Sequence, residues 1–279
     1  MEKRALVLGG GGVTGVAWTI GLLHGLAEHE RGVDLSTADL FVGTSAGSVV
    51  AAQLTGGTPI DQLYQHELTD TTGDTNATIG SKVLVGFVLA ALWPGERARG
   101  RARLGRAALK ARTVPESERR AAIASRVRRD EWPAARLLIP AVEARTGAVE
   151  VFDSASGASL IDAVAASCAV PLVWPPMTVN GRRYIDGGVR SVANVDLARG
   201  YERVVVIAPL VAAARRADRP AAQAAALGPG VRTAVVSPTD AALTAIGRNP
   251  LDPARRAPAA RAGHAQAAEV LDRVRAAWD

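Results

Sequence analysis

Short apolar runs separated by glycine-rich breaks dominate the first sixty residues. Residues 4–8 are apolar after Arg4 and predict a strand buried on both faces. The run empties into four glycines at 9–12. From 13 to about 30 the apolar positions take a helical period, with Leu22, Leu23 and Leu26 on one side. A second unit follows, with a strand at 40–42, a tight turn at 43–47, and a helix from 48 to 54 closed by Gly56 and Gly57. Two successive strand-to-helix units predict an α/β fold around a mainly parallel sheet.

Residues 70–130 break this pattern. A polar Thr/Asp/Asn stretch leads into an apolar run at 83–93 and then into arginine-rich sequence interrupted by Pro94 and Pro115. We expect an insertion here, a helical cap, within a single domain spanning 1–279. Regular structure resumes with strands at 136–143 and 149–152 around Thr146 and Gly147, which predicts a hairpin. A short helix at 160–168 stops near Pro171. Asn180-Gly181 lies between apolar stretches at 178–179 and 183–185 and predicts a tight hairpin. Two further buried strands are expected at 204–207 and 233–236, joined by a polar, alanine-rich segment that is either a helix or a surface loop. An amphipathic helix is expected over 264–278.

Composition changes this picture little: 48% hydrophobic content suffices for a sizeable core, and aromatic residues are only 4% of the chain. Charge is more informative. The net +6 is concentrated in residues 96–130, where twelve basic residues face four acidic ones. Such a stretch either favours anionic partners, such as phospholipid headgroups or nucleic acid, or forms a solvated helical face. Cys168 has no second cysteine to pair with, and the N-terminal residues run into a strand without a signal-peptide core, so a cytoplasmic location is expected. The 83–93 run is too short to span a bilayer.

The turn Gly43-Thr44-Ser45-Ala46-Gly47 has the GxSxG form, in which small residues permit a sharp strand-to-helix bend that lifts the serine hydroxyl clear of the backbone. Serine needs a base within reach to take its proton. Of the four histidines, only His264 follows Ser45 in the familiar Ser, acid, His order, and its place on a terminal amphipathic helix also suits a solvated or capping role. The other candidate base is Asp186, at a strand end and followed by Gly187 and Gly188, where it is also a plausible turn cap. Residues 9–12 supply backbone N–H groups at a helix start, suited to an oxyanion or to a phosphate. Gly10, Gly12 and Gly15 fit the dinucleotide spacing too, with Asp34 and Asp39 as the acids near the required distance.

The glycine loop after the first strand, the GxSxG elbow some thirty residues later, the DGG motif and the 165–171 segment ending at Pro171 together resemble the patatin-like phospholipase family over roughly residues 4–60 and 135–210. The resemblance implies a three-layer α/β/α fold and a serine acyl-ester hydrolase, of phospholipase A or lipid esterase type, acting through a Ser45–Asp186 dyad. Gly10, Gly11 and Gly12 would then form the oxyanion hole, and Gly43, Gly47, Gly187 and Gly188 would shape the two motifs. A lipid or ester substrate is implied, with no cofactor, no metal and no nucleic-acid partner. The apolar run at 83–93 beside the basic residues suggests that residues 83–112 either contact the inner face of an anionic membrane or pack as a cap over the active site with the arginines facing water. The alternatives are a Ser-Asp-His triad through His264, and a non-catalytic or nucleotide-binding α/β protein. The family's loop usually carries a basic residue before its last glycine, where Thr14 stands here.

Overall fold

A computed structural model describes residues 2–69, 77–78 and 80–279 of the chain. It opens with β1 (Arg4–Leu8), α1 (Gly12–Glu28), β2 (Leu40–Gly43), α2 (Ala46–Thr55) and α3 (Ile60–Thr69). Three helices follow in the expected insertion: α4 (Ser81–Leu92), α5 (Arg97–Ala108) and α6 (Glu116–Val127). The polar stretch at its start falls on 70–76, outside the described residues. Then come β3 (Arg136–Glu143), β4 (Val149–Phe152), α7 (Leu160–Ser167), β5 (Met177–Val179) and β6 (Arg182–Asp186). The chain closes with β7 (Arg203–Ile207), α8 (Pro220–Ala225), β8 (Arg232–Val236), α9 (Asp240–Ile246) and α10 (Arg256–Trp278).

The strands form one sheet in the order β5-β6-β3-β2-β1-β7-β8, with β4 paired to β3. From β3 to β8 the neighbours run parallel, while β4, β5 and β6 join antiparallel. Asn180 and Gly181 both take positive φ, 49° and 74°, as the tight turn between β5 and β6 requires.

Alternation along β1 explains the layering. Leu6 and Leu8 enter a core shared with α1, α2, α7 and α10, whereas Ala5 and Val7 enter a second core on the opposite face. The protein is therefore a three-layer α/β/α fold. Its second outer layer is thin over the parallel strands, where the short 3-10 turn Val195–Ala198 and α8 close it. At the antiparallel end α4 and α5 cover Val142, Ile185 and Val189.

The terminal helix starts at Arg256, well before His264. Pro258 falls in its first turn, where an amide N–H has no intrahelical acceptor to lose, so proline does not delay the start. Helix α9 had no counterpart in the periodicity. α9 is only seven residues long and relies on the Thr239 side chain, which accepts a hydrogen bond from the Ala242 N–H.

Candidate active site

β1 and β2 end side by side, with Leu8 in register with Gly43, so the glycine loop and the GxSxG turn leave the sheet together at the carboxyl ends of parallel strands, where α/β sheets form crevices. Ser45 has φ 51° and ψ −120°, a backbone conformation unfavourable for an L-residue and maintained by its surroundings. The flanking glycines are dictated by contact. A Cβ on Gly47 would lie 2.0 Å from the Leu8 carbonyl oxygen, and one on Gly43 2.6 Å from Ser48 Cα. The Ser45 N–H donates to Ser167 Oγ at 3.0 Å, and the Ser167 hydroxyl donates to Pro140 O at 2.7 Å, which fastens the elbow to α7 and β3.

Ser45 Oγ donates to Asp186 Oδ2 at 2.7 Å, across 141 residues of sequence. Asp186 ends β6, its N–H donating to Ala169 O at 2.9 Å. Its second carboxylate oxygen accepts the Gly188 N–H at 2.7 Å. A Cβ on Gly187 would come within 2.2 Å of Pro140 O, so the turn can press against β3 only with glycine there. Burial pushes the Asp186 carboxyl up to about 6, against the opposing pull of the Ser45 hydroxyl, the Gly188 N–H and the Arg119 charge. Cys168, beside Ser48, is fully buried and its thiol is driven up to about 11, so it is no rival nucleophile.

The glycine loop divides its N–H groups. Gly9 and Gly10 donate to Ile207 O and Val192 O at 2.9 and 2.8 Å, while the Gly11 and Gly12 N–H groups have no partner among the described residues. Gly12 takes φ +65° and packs where a Cβ would meet Pro250 O at 2.4 Å. It lines the pocket that holds Ser45, with Val16 and Val49 as apolar wall and Ile123 of α6 as roof. The cavity measures about 50 Å³.

The structure does not bring His264 to Ser45. Its Nε2 lies 2.5 Å from Glu28 Oε1, and its ring stacks on Tyr64. Among the described residues, His24, Glu28 and His264 are the one group with enough ligand-type atoms gathered for a metal, and the His264–Glu28 pair already uses two of them. The acids of the dinucleotide pattern are also engaged: Asp34 caps a 3-10 turn through the Ser36 N–H, and Asp39 accepts the Arg4 N–H.

Four site residues have no local sequence signal. Asn194, buried in the left-handed region, joins the two motifs by donating from Nδ2 to Thr44 Oγ1 at 3.0 Å and to Gly187 O at 3.5 Å. Ser167 lies in the noted 165–171 segment, where nothing marks it as the elbow's anchor. Arg119 and Trp174 reach the pocket from α6 and from the loop before β5.

A serine on a strained strand-to-helix turn, bonded to a buried carboxylate in an α/β/α fold, is the arrangement found in proteins with a nucleophile elbow. More narrowly, residues 6–199 match the family model described as patatin-like phospholipase, and the chain belongs to that family. Membership makes it a lipolytic hydrolase by class. It is similar to VipD from Legionella pneumophila, with 14% identity, a TM-score of 0.49, and coverage of 98% of this chain and 67% of that one. It is also similar to the type III effector protein ExoU, with 16% identity, a TM-score of 0.41, and coverage of 98% and 53%. The chain thus spans about half the length of ExoU. No functionally curated protein matches it.

Proposed function

We propose that the protein cleaves carboxylic esters of lipids through a Ser45–Asp186 dyad, and the 2.7 Å hydrogen bond between the two buried side chains is the observation that carries this reading. Asp186 takes the hydroxyl proton as Ser45 Oγ attacks the ester carbonyl. The developing oxyanion is met by the unpartnered Gly11 and Gly12 N–H groups, aided by the positive end of α1. Gly10, its N–H already donated to Val192 O, contributes by lying close to Ser45, where a Cβ would stand 3.5 Å from the serine Cβ. Collapse expels the alcohol, which takes the proton from Asp186 and leaves an acyl-serine. Water then attacks the acyl carbon with Asp186 again accepting the proton, and collapse breaks the acyl–Ser45 bond, releases the carboxylic acid and returns that proton from Asp186 to Ser45 Oγ. The scheme calls on no cofactor.

Membrane contact belongs to the same proposal. Along α4, Val85, Val88, Leu89 and Leu92 form one exposed apolar stripe, and α5 beside it exposes Arg99, Arg103 and Arg106. Partial burial of the stripe, with arginines facing anionic headgroups, suits docking on an anionic bilayer surface. Among the described residues no helix is long and apolar enough to cross a membrane.

A fluorophosphonate probe should label the wild type and fail on Ser45→Ala, which should retain the fold but lose turnover of short- and long-chain esters. Asp186→Asn should lower kcat by about two orders of magnitude or more, and His264→Ala should leave it near wild type. Turnover by Ser45→Ala would end the proposal. Loss with His264→Ala and not with Asp186→Asn would replace the dyad by the triad.

A further inference from the structure

The roof of the Ser45 pocket holds a pair of polar side chains that the dyad does not use. Arg119 of α6 stacks on Trp174, its guanidinium carbon 4.2 Å from the ring centre. Both residues line the same pocket as Ser45 and Gly12. Arg119 Nε and Trp174 Nε1 are buried, and among the described residues neither N–H meets an acceptor. Trp174 is only 4% exposed, so bulk water does not serve its N–H. Leaving such donors without an acceptor forfeits their hydration with nothing in return, most of all for a charged group, which makes two at one spot unusual in a native fold.

The ring face explains how the cation is tolerated, since a stacked guanidinium regains part of its lost hydration from the aromatic quadrupole. It does not explain the idle N–H groups. Elsewhere α6 is well anchored: Arg120 Nε reaches Asp162 Oδ1 at 2.6 Å, and Arg183 lies 3.7 Å from Glu116. Arg119 and Trp174 are therefore not the groups fastening the helix. A charged donor and a neutral one, facing a cavity beside Ser45 whose remaining lining is apolar apart from Cys168 and Arg126, suit an oxygen-rich anion held against an apolar substrate. The glycine loop, residues 9–15, has no basic side chain of its own to meet that charge.

We propose that Arg119 and Trp174 form an anion subsite for a phosphoryl group in the alcohol half of the ester, so that the enzyme selects phosphate-bearing lipid esters over neutral ones. This rests on the hydrolase reading above. Arg119 supplies charge-assisted hydrogen bonds and Trp174 a neutral one, while the walls formed by Val16, Val49 and Ile123 receive the hydrocarbon.

The test separates the subsite from catalysis. Titrating the Ser45→Ala protein with inorganic phosphate should show saturable binding, weakened about tenfold or more by Arg119→Gln and partly restored by Arg119→Lys. Trp174→Phe, which keeps a ring for the stack and deletes the N–H, should weaken it by a smaller factor. In the active protein, monomeric dihexanoylphosphatidylcholine and dihexanoylglycerol provide the second readout. Arg119→Gln should reduce the ratio of their kcat/KM values by about tenfold to a hundredfold. A ratio within twofold of wild type, or phosphate binding unaltered in Arg119→Gln, overturns the subsite. Equal loss on both esters, unrelieved by Arg119→Lys, overturns it too, because that pattern marks a structural arginine. Wild type that binds phosphate at Arg119 but hydrolyses neither ester would refute the hydrolase reading and keep the subsite. Phosphate binding by the free protein without any effect on substrate preference would identify a site for free phosphate rather than for a lipid headgroup, and would overturn the proposal as stated.

Discussion

At Asp186 stability and chemistry pull in opposite directions. Its folded carboxyl, pushed by burial from the ordinary carboxylate value of 3.8 up to about 6, prefers the neutral form in its dry setting. A folded value raised in this way favours the native state fully below about pH 4, and the contribution is lost as pH rises through 6, when the buried group must ionise. The dyad needs that ionised form to accept the serine proton. Asp186→Asn should therefore melt above wild type at pH 8, by up to about 3 kcal/mol, with the gap closing towards pH 4. Wild-type kcat/KM should fall on the acid side with an apparent pKa near 6. Melting curves and initial rates between pH 4 and 8 check both, and a rate profile flat through pH 6 would dissociate the carboxylate from the proton transfer. Burial of this one residue was not legible in the sequence, where Asp186 read equally well as a turn cap.

Between elements, the tightest packing lies behind the site, where α10 crosses α1 at backbone contact. A Cβ on Gly21 would meet Ala260 O at 1.9 Å, and one on Gly263 would meet Trp18 O at 2.1 Å. Trp18 also donates from Nε1 to Gln266 Oε1 at 3.1 Å, so the buried interface has a polar register as well as a steric one. α1 carries the glycine loop at its N-terminus, and α10 holds it against the sheet. Gly263→Ala should lower stability by about 3 kcal/mol through forced separation of the helices. Arg261→Ala, on the exposed side of the same helix, should change it by less than about 0.5 kcal/mol. Denaturant midpoints of the two variants check this, and equal midpoints would mean that the helices give way at little cost. Helical period alone exposed α1 and the end of α10. It missed the start of α10, because proline reads as a breaker until its first-turn position is known.

For the whole molecule, the arrangement of α4, α5 and α6 matters most. α6 roofs the Ser45 pocket, while α4 and α5 pack over Ile185 and Val189 on either side of the Asp186 turn, from the other layer of the fold. The exposed stripe of α4 thus lies on a helix packed against the segment that carries the proposed base. Co-sedimentation with vesicles should increase with anionic lipid content and fall between 0.05 and 0.5 M salt, on the order of the range over which a Debye length of ~10 Å at 0.1 M shrinks. Replacing Val85 and Leu89 with Ser should weaken binding at low salt with little change in melting temperature, since both side chains are exposed. Absence of binding to anionic vesicles at low salt would remove the membrane role and leave soluble esters as substrates.

What the sequence determined by itself was local. Strand, glycine break and helix follow from periodicity over a dozen residues, and the glycines of GxSxG and DGG announce places where backbones meet without Cβ atoms. Ser45 and Asp186 could each be singled out because each lies within such a motif. Only the tertiary structure decided which groups they face. The 2.7 Å contact spans 141 residues, the Asn194 bridge joins two turns far apart in sequence, and the division of the glycine-loop N–H groups depends on where Val192 falls. Arg119 and Trp174 are one arginine in a basic stretch and one tryptophan after a proline segment until α6 closes over the pocket. Burial and hydrogen bonding are properties of the assembled neighbourhood, and no local pattern of apolar and polar residues encodes which side chains will share a dry cavity.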